Sequence, residues 1–270
     1  MPQPASYTGP LDAISSKVLA AFGTVRLFAA DAEGLNVRRS SDSTAQDVGT
    51  LATGAFDAAT FTSFVGGGSG YAVTAYDQKG SADATQATAG TQPQVIANGV
   101  GALYAMHFDG TKRLATGSVA GLAVGTGDFE VWLLVKPTNT AAVNDQGMTA
   151  RGSFAPGFYS RLAASTHVSL YLGGNKPFDT AMVQGTAYVL RFTRRSQVWT
   201  LEVNGVADAT TYADATNYTA GAIAVGNETA AGGTGFGYND ISFLAYMNTS
   251  LTSGEAAALT ACLKTLGGIA

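Results

Sequence analysis

Phe129-Glu-Val-Trp-Leu-Leu-Val-Lys-Pro137 is the stretch that decides the fold class. It alternates, as a strand does, and it stops at a proline. Proline has no N–H to give a sheet ladder, so it marks a strand end. Further on, Val198-Trp-Thr-Leu-Glu-Val203 alternates and runs into Asn204-Gly205, the signature of a tight hairpin. The same pattern recurs on both sides of these two segments. Candidate strands are 71–76, 103–108, 158–162, 167–172, 187–193, 222–225 and 241–247. Turn residues separate them at Asp109-Gly110, Gly125-Thr-Gly-Asp128 and Gly173-Gly-Asn175. Many short antiparallel strands at this spacing predict an all-β sandwich of the jelly-roll kind. Trp132 and Trp199 lie mid-strand and belong to its core.

A few helices are expected at the periphery. Leu11, Ile14, Val18 and Phe22 have near-helical spacing and predict one helix of about three turns. Asp57 starts a second, short helix carrying Phe61, Phe64 and Val65, which ends at Gly66-Gly67-Gly68. Thr252 and Glu255 form a capping box ahead of a C-terminal helix. Leu259, Cys262, Leu263 and Leu266 give that helix one apolar face, with Cys262 as a small apolar member, and Gly267-Gly268 stops it. Residues 1–10 are polar with three prolines and read as an arm or linker. Residues 11–270 show no repeat and no composition break after residue 70. They read as one domain, with 11–70 packed on the sandwich.

The chain has 270 residues, 46% of them hydrophobic and only 13% charged, with 34 glycines. That balance suits many turns and an uncharged polar surface. It does not suit a helical bundle, whose exposed faces need lysine and glutamate. A net charge of −4 argues against a nucleic-acid partner, which needs a basic face. The single cysteine excludes an internal disulfide. No apolar run is long enough for a membrane-spanning helix, so no membrane insertion is expected. The N-terminus lacks the basic start and apolar centre of a signal peptide. Export would then need another route, such as release on lysis as part of a virus particle.

Several blocks narrow the lineage. Phe108-Asp109-Gly110, Leu122 to Trp132, the Trp199–Gly205 hairpin arm and the capped C-terminal helix resemble concanavalin A-like lectin/glucanase sandwiches of the laminin-G type. Arg38-Arg39-Ser40-Ser41-Asp42 and Tyr76-Asp77-Gln78 resemble the catalytic domain of family-B α-L-arabinofuranosidases and related domains of phage tail and virion appendage proteins. The resemblance runs from about Gly9 to the C-terminus. It implies a retaining glycosidase, which needs a nucleophilic carboxylate about 5 Å from an acid/base. The family's acid/base aspartate lies in a Gly-Gly-Asp turn. The matching turn here is Gly226-Asn227-Glu228, so Glu228 stands at that position. The family's nucleophile is a glutamate on a middle strand, yet the corresponding stretch here, 151–178, contains no Asp or Glu. The expectation drawn is therefore the fold without the catalysis, a non-enzyme with no catalytic residues. Arg38, Arg39, Asp42, Tyr76 and Asp77 would fasten the N-terminal segment to the sandwich through buried polar contacts.

The remaining candidates are weaker. His107 and His167 lie some 60 residues apart on apolar strands and do not suggest a metal site. No nucleophile elbow supports a serine triad. Calcium needs several oxygen ligands close together. Asp109, Asp128, Asn239 and Asp240 could supply them, but turn chemistry accounts for each equally well. No metal or other cofactor is assigned. Sugar sites pair an aromatic platform with planar polar groups. Tyr159, Arg161, Tyr171 and Asn175 offer both, as do Asn227, Glu228, Tyr238 and Asn239. The sequence reading is thus a glycan-binding, host-attachment domain of a phage-like particle, such as a tail fibre or head spike. It would sit on the virion or particle surface as a homo-oligomer among other appendage proteins and face a cell-surface polysaccharide. One alternative is a glycosidase resembling α-L-arabinofuranosidase, using Glu228 and a second carboxylate such as Asp179. The other is a purely structural decoration or adaptor protein.

Overall fold

The computed structural model describes residues 7–80, 82–139, 146–152, 159–162, 167–227 and 236–270. The first strands are β1 (Val18–Gly23), β2 (Leu35–Arg39), β3 (Ala45–Val48), β4 (Gly70–Ala75), β5 (Ala84–Thr85), β6 (Gln94–Val100), β7 (Leu103–Asp109) and β8 (Leu114–Ala115). Then come β9 (Phe129–Pro137), β10 (Gln146–Arg151), β11 (Tyr159–Leu162), β12 (His167–Tyr171) and β13 (Asn175–Ala181). The last are β14 (Tyr188–Arg195), β15 (Val198–Val203), β16 (Val206–Ala207), β17 (Tyr212–Ala213), β18 (Ile223–Val225) and β19 (Tyr238–Met247). Among the described residues two α-helices accompany them, α1 (Ala58–Val65) and α2 (Ser253–Gly267).

Every ladder is antiparallel, and the strands form one sheet curled into a sandwich. One half runs β19–β9–β14–β15, with β1 and β7 sharing the other side of β19. The opposite half runs β8–β18–β10–β11–β12–β13. β4 joins the halves, because it pairs with β6 of the first and with β5, next to β8, of the second.

β9 shows how the sequence pattern becomes two cores. Phe129, Val131, Leu133 and Val135 point into the sandwich, where they meet Phe192, Trp199, Leu201, Leu244 and Tyr246. Trp132 and Leu134 point the other way and are sealed by Leu259 and Leu263 of α2. A strand buried on both faces reads as a continuous apolar run, as this one does. The helix over it starts on its capping box: Thr252 accepts from the Glu255 N–H and Glu255 accepts from the Thr252 N–H. It ends at Gly268 in the left-handed region. Cys262 is half-buried on the same helix, and burial raises its thiol pKa. α1 begins at Asp57, whose carboxylate accepts from the Thr60 N–H.

The helix expected across Leu11 to Phe22 does not form. Asp12–Lys17 is 3-10, broken at Ile14, and Val18–Gly23 is β1, paired with β19. The apolar residues serve two cores at once: Leu11, Ile14 and Val18 join the helix-side cluster, whereas Phe22 joins the sandwich interior. Their spacing thus reflected a turn followed by a strand.

The Tyr-Asp-Gln block does fasten the N-terminal segment. Asp77, 1% exposed, accepts from the N–H groups of Ala21, Lys79 and Ala82. Gln78 accepts from the Leu27 N–H and donates to Val25 O. The arginine block does not work that way. Arg39 and Asp42 form a local pair on the surface, with Arg39 stacked on Phe64, and Arg38 bonds Gln92 and covers the Tyr71 ring. Tyr76 donates to the exposed Asp47.

Two interactions yield tests. Glu130 is fully buried and accepts from Trp132 Nε1, from Arg191 Nε and Nη2, and from the Leu251 N–H. Removing one partner of such a pair strands the other, so Glu130→Ala should cost about 3–5 kcal/mol in denaturant unfolding. The second is His107, whose Nδ1 lies 2.6 Å from Asp240 Oδ1, with Lys136 3.0 Å from Oδ2. The Asp240 hydrogen bond raises the His107 pKa, against the opposing effect of burial. A raised folded pKa means stability that is complete below the unfolded value of about 6.5 and lost as pH rises through the folded value. His107→Gln should therefore lower the thermal midpoint at pH 5.5 more than at pH 8.5.

Candidate functional site

The β8–β18–β10–β11–β12–β13 half presents one face to the interior and one outward. On β12, Val168 and Leu170 enter the core, so the two-residue period sends His167, Ser169 and Tyr171 outward. On β18, Ile223 and Val225 enter the core, leaving Ala224 outward beside Ala150 and Ala115. Ala150 and Ala224 are buried, with Tyr171 packed against them. Small side chains thus form the floor and Tyr171 stands at its side. The register sets Arg161 opposite both Gly147 and Ser169, Tyr159 opposite Ala150, and Asn175 opposite Tyr171. The first predicted cluster therefore spans adjacent strands β11, β12 and β13. The side chains of Tyr159 and Arg161 lie outside the described residues.

The second predicted cluster meets at a backbone junction. Asn227 and Gly147 both bridge to Phe236, one antiparallel and one parallel. The Gly226 N–H donates to Met148 O, and the Gly237 N–H donates to Gly226 O, both at 2.8 Å. Neither glycine tolerates a side chain. At Gly226, with φ +74°, a Cβ would sit 1.9 Å from the Phe108 ring. At Gly237 it would sit 2.2 Å from Gly147 O and 2.5 Å from Asn239 Nδ2. Asn227 and Asn239 are both fully buried here, beneath the surface and not on it. Tyr238 is not part of this junction: it points to the opposite side of β19 and covers Gly110. Strand alternation sends it there, since Asn239 and Ile241 take the inward positions. Glu228 lies outside the described residues.

Among the described strands of this half, only β13 carries a carboxylate, Asp179. It is exposed and accepts from Thr210 Oγ1, while Asp208 accepts from the N–H groups of Asp179 and Thr180. Burial alone would raise the Asp208 pKa, but the hydrogen bonds from Thr180, Thr210 and Asp179 together outweigh it and hold the pKa below its usual value. These contacts clamp β13 to the segment before β17. Asp179 is four strands from β18, about 19 Å across a sheet with strands ~4.8 Å apart.

Of the calcium candidates, Asp109, Asn239 and Asp240 lie at neighbouring positions of the β7–β19 ladder, whereas Asp128 stands apart. Asp128 accepts from the Ser196 N–H at the start of β9, whereas Asp240 lies opposite Lys136 near its end. Eight residues of strand separate them, about 26 Å at 3.3 Å each. Among the described residues no three His, Cys, Asp or Glu side chains are grouped to hold a metal. His107 and His167 sit on different halves of the sandwich, on β7 and β12.

Neither a known protein family nor a curated protein matches the sequence. The fold, by contrast, matches solved structures closely. An arabinofuranosidase complexed with arabinofuranosyl-α-1,2-xylobiose superposes with a TM-score of 0.74 at 14% identity, over 95% of this chain and 64% of that one. A GH54 α-L-arabinofuranosidase soaked with a cyclic sulfate inhibitor gives 0.70 at 13% identity, over 95% and 65%. Trypanosoma rangeli sialidase in complex with sialic acid gives 0.53 at 14% identity, over 72% of this chain and 31% of that one. The chain spans just under two thirds of the arabinofuranosidases it matches. These matches correct the expectation of a non-catalytic attachment domain on a phage-like particle. The neighbours that cover the chain end to end are glycoside hydrolases, and none points to attachment. The expectation rested on a carboxylate missing from 151–178, but a catalytic pair is assembled by strand pairing and need not come from one stretch. The chain folds as a β-sandwich of the kind these glycosidases use.

Proposed function

We propose that this chain is a glycoside hydrolase acting on an α-L-arabinofuranoside-type linkage. The observation that carries the reading is the superposition on arabinofuranosidases over 95% of the chain, at TM-scores of 0.70 to 0.74. The junction at Phe236 supports it chemically. Glu228 follows Asn227 directly, and Asp145 precedes Gly147 by two residues. Asn227 and Gly147 both bridge Phe236. Both carboxylates thus flank, in sequence, described segments that meet at Phe236. Glu228 is assigned the acid/base role and Asp145 that of its partner. Tyr171 and Asn175 line the same outward face and are assigned to the sugar ring and its hydroxyls. A tyrosine face gives apolar contact to sugar C–H groups while its hydroxyl stays wet.

The test is hydrolysis of 4-nitrophenyl α-L-arabinofuranoside and of arabinose-substituted xylo-oligosaccharides. Glu228→Gln and Asp145→Asn should each lower kcat by about 10²-fold or more, the size of a general acid–base contribution. The anomer released first, followed by NMR, reports the carboxyl spacing: retention corresponds to about 5 Å and inversion to about 6.5–9.5 Å. Absence of turnover on both substrates, or undiminished turnover by Glu228→Gln, would defeat the proposal.

A further inference from the structure

Among the described residues, Arg151 is a buried cation without a counter-charge. It lies at the end of β10, 1% exposed, and its Nη2 donates to the carbonyls of Leu122 and Thr219. Its guanidinium stacks 4.5 Å from the Tyr218 ring centre and 6.0 Å from that of Phe129. Its Nε–H is buried and has no hydrogen-bond partner. A second guanidinium, Arg194, lies 4.9 Å from the same Tyr218 ring and is fully buried. Arg194 donates to the carbonyls of Gly127, Asp214 and Thr216, and its Nε is 3.3 Å from Asp214 Oδ2.

The charges do not balance. Among the described residues the one carboxylate at the pair is Asp214, which touches Arg194 and is already committed. It pairs with Arg194 and accepts from Trp199 Nε1, from the Tyr218 hydroxyl and from the Thr216 N–H. Two guanidiniums against one carboxylate leave one uncompensated positive charge in the interior. Guanidinium does not shed its proton at any pH the protein meets, and a buried unpaired charge is costly. Carbonyl dipoles and the tyrosine face reduce that cost, but they leave the Nε–H empty. A water molecule would fill the donor and leave the charge. A small monovalent anion does both.

We propose that Arg151 holds a halide-sized monovalent anion, chloride under ordinary conditions, as a structural ion inside the sandwich. It accepts the Arg151 Nε–H and neutralises the Arg151–Tyr218–Arg194 stack. The site is independent of the hydrolase reading and of Glu228. Two measurements on the full chain test it. In sodium chloride the thermal midpoint should rise and saturate, whereas sodium gluconate at equal ionic strength should not reproduce the rise, because an anion bound only by the folded state stabilises it by mass action. Arg151→Met should abolish the chloride-specific part. The decisive measurement needs no variant: crystals grown in sodium bromide should show an anomalous peak in hydrogen-bond contact with Arg151 Nε. An empty Nε in those crystals overturns the proposal whatever the salt dependence, and equal midpoints in chloride and gluconate overturn the structural role.

Discussion

The fully buried carboxylate of Glu130 holds the architecture to one arrangement. It sits on β9 and receives hydrogen bonds from the indole of Trp132, from Arg191 on β14 and from the backbone that leads into α2. Arg191 also reaches Glu202 on β15. One anion thus fixes the register of three strands and the seat of the helix. Apolar contacts on both faces of β9 supply the attraction, but they are not directional. The charge is directional, because any slip of β9 against β14 would leave Glu130 and Arg191 buried and apart.

Polar groups placed in this way recur through the interior. Asp77 and Gln78 tie the N-terminal segment down by binding backbone N–H and C=O groups that no strand pairs. Asp208 clamps β13, and Asp214 gathers Trp199, Tyr218 and Arg194. A chain with 13% charged residues has placed several of them inside. Backbone left unpaired by irregular segments must be satisfied where water is absent. The Gly226–Gly237 junction meets the same demand with no side chains at all, and that lets β10 and the start of β19 approach within reach of one another.

Much of the fold was legible. The β9 run, the Asn204-Gly205 hairpin and the Thr252–Glu255 capping box each act through local geometry, and the structure has them at the expected places. Several strands without a legible signature have no period of their own. β13 carries Pro177 and Asp179, and β3 is mostly exposed. Such segments become strands because a neighbour offers them a ladder. The β1 segment imitates a helix for the opposite reason: its apolar residues split between two cores, which gives them a near-helical spacing. The site was harder still. Tyr171 and Asn175, close in sequence, face each other across the β12–β13 hairpin. The meeting of Gly147 with Asn227 at Phe236 joins positions 80 residues apart, and it has no signature in either segment.

The sequence by itself determined the class of architecture, the caps of its helices and its broad lineage, because strand period, turn chemistry and capping act over a few residues. Tertiary structure decided which segments meet. It carried Asp179 to β13, four strands from β18, and it brought Gly147 and Asn227 to one residue, Phe236. It also enclosed two arginines around a single tyrosine with one carboxylate between them. Distance and burial set the strength of a charge interaction, and both exist only once the sheet has curled.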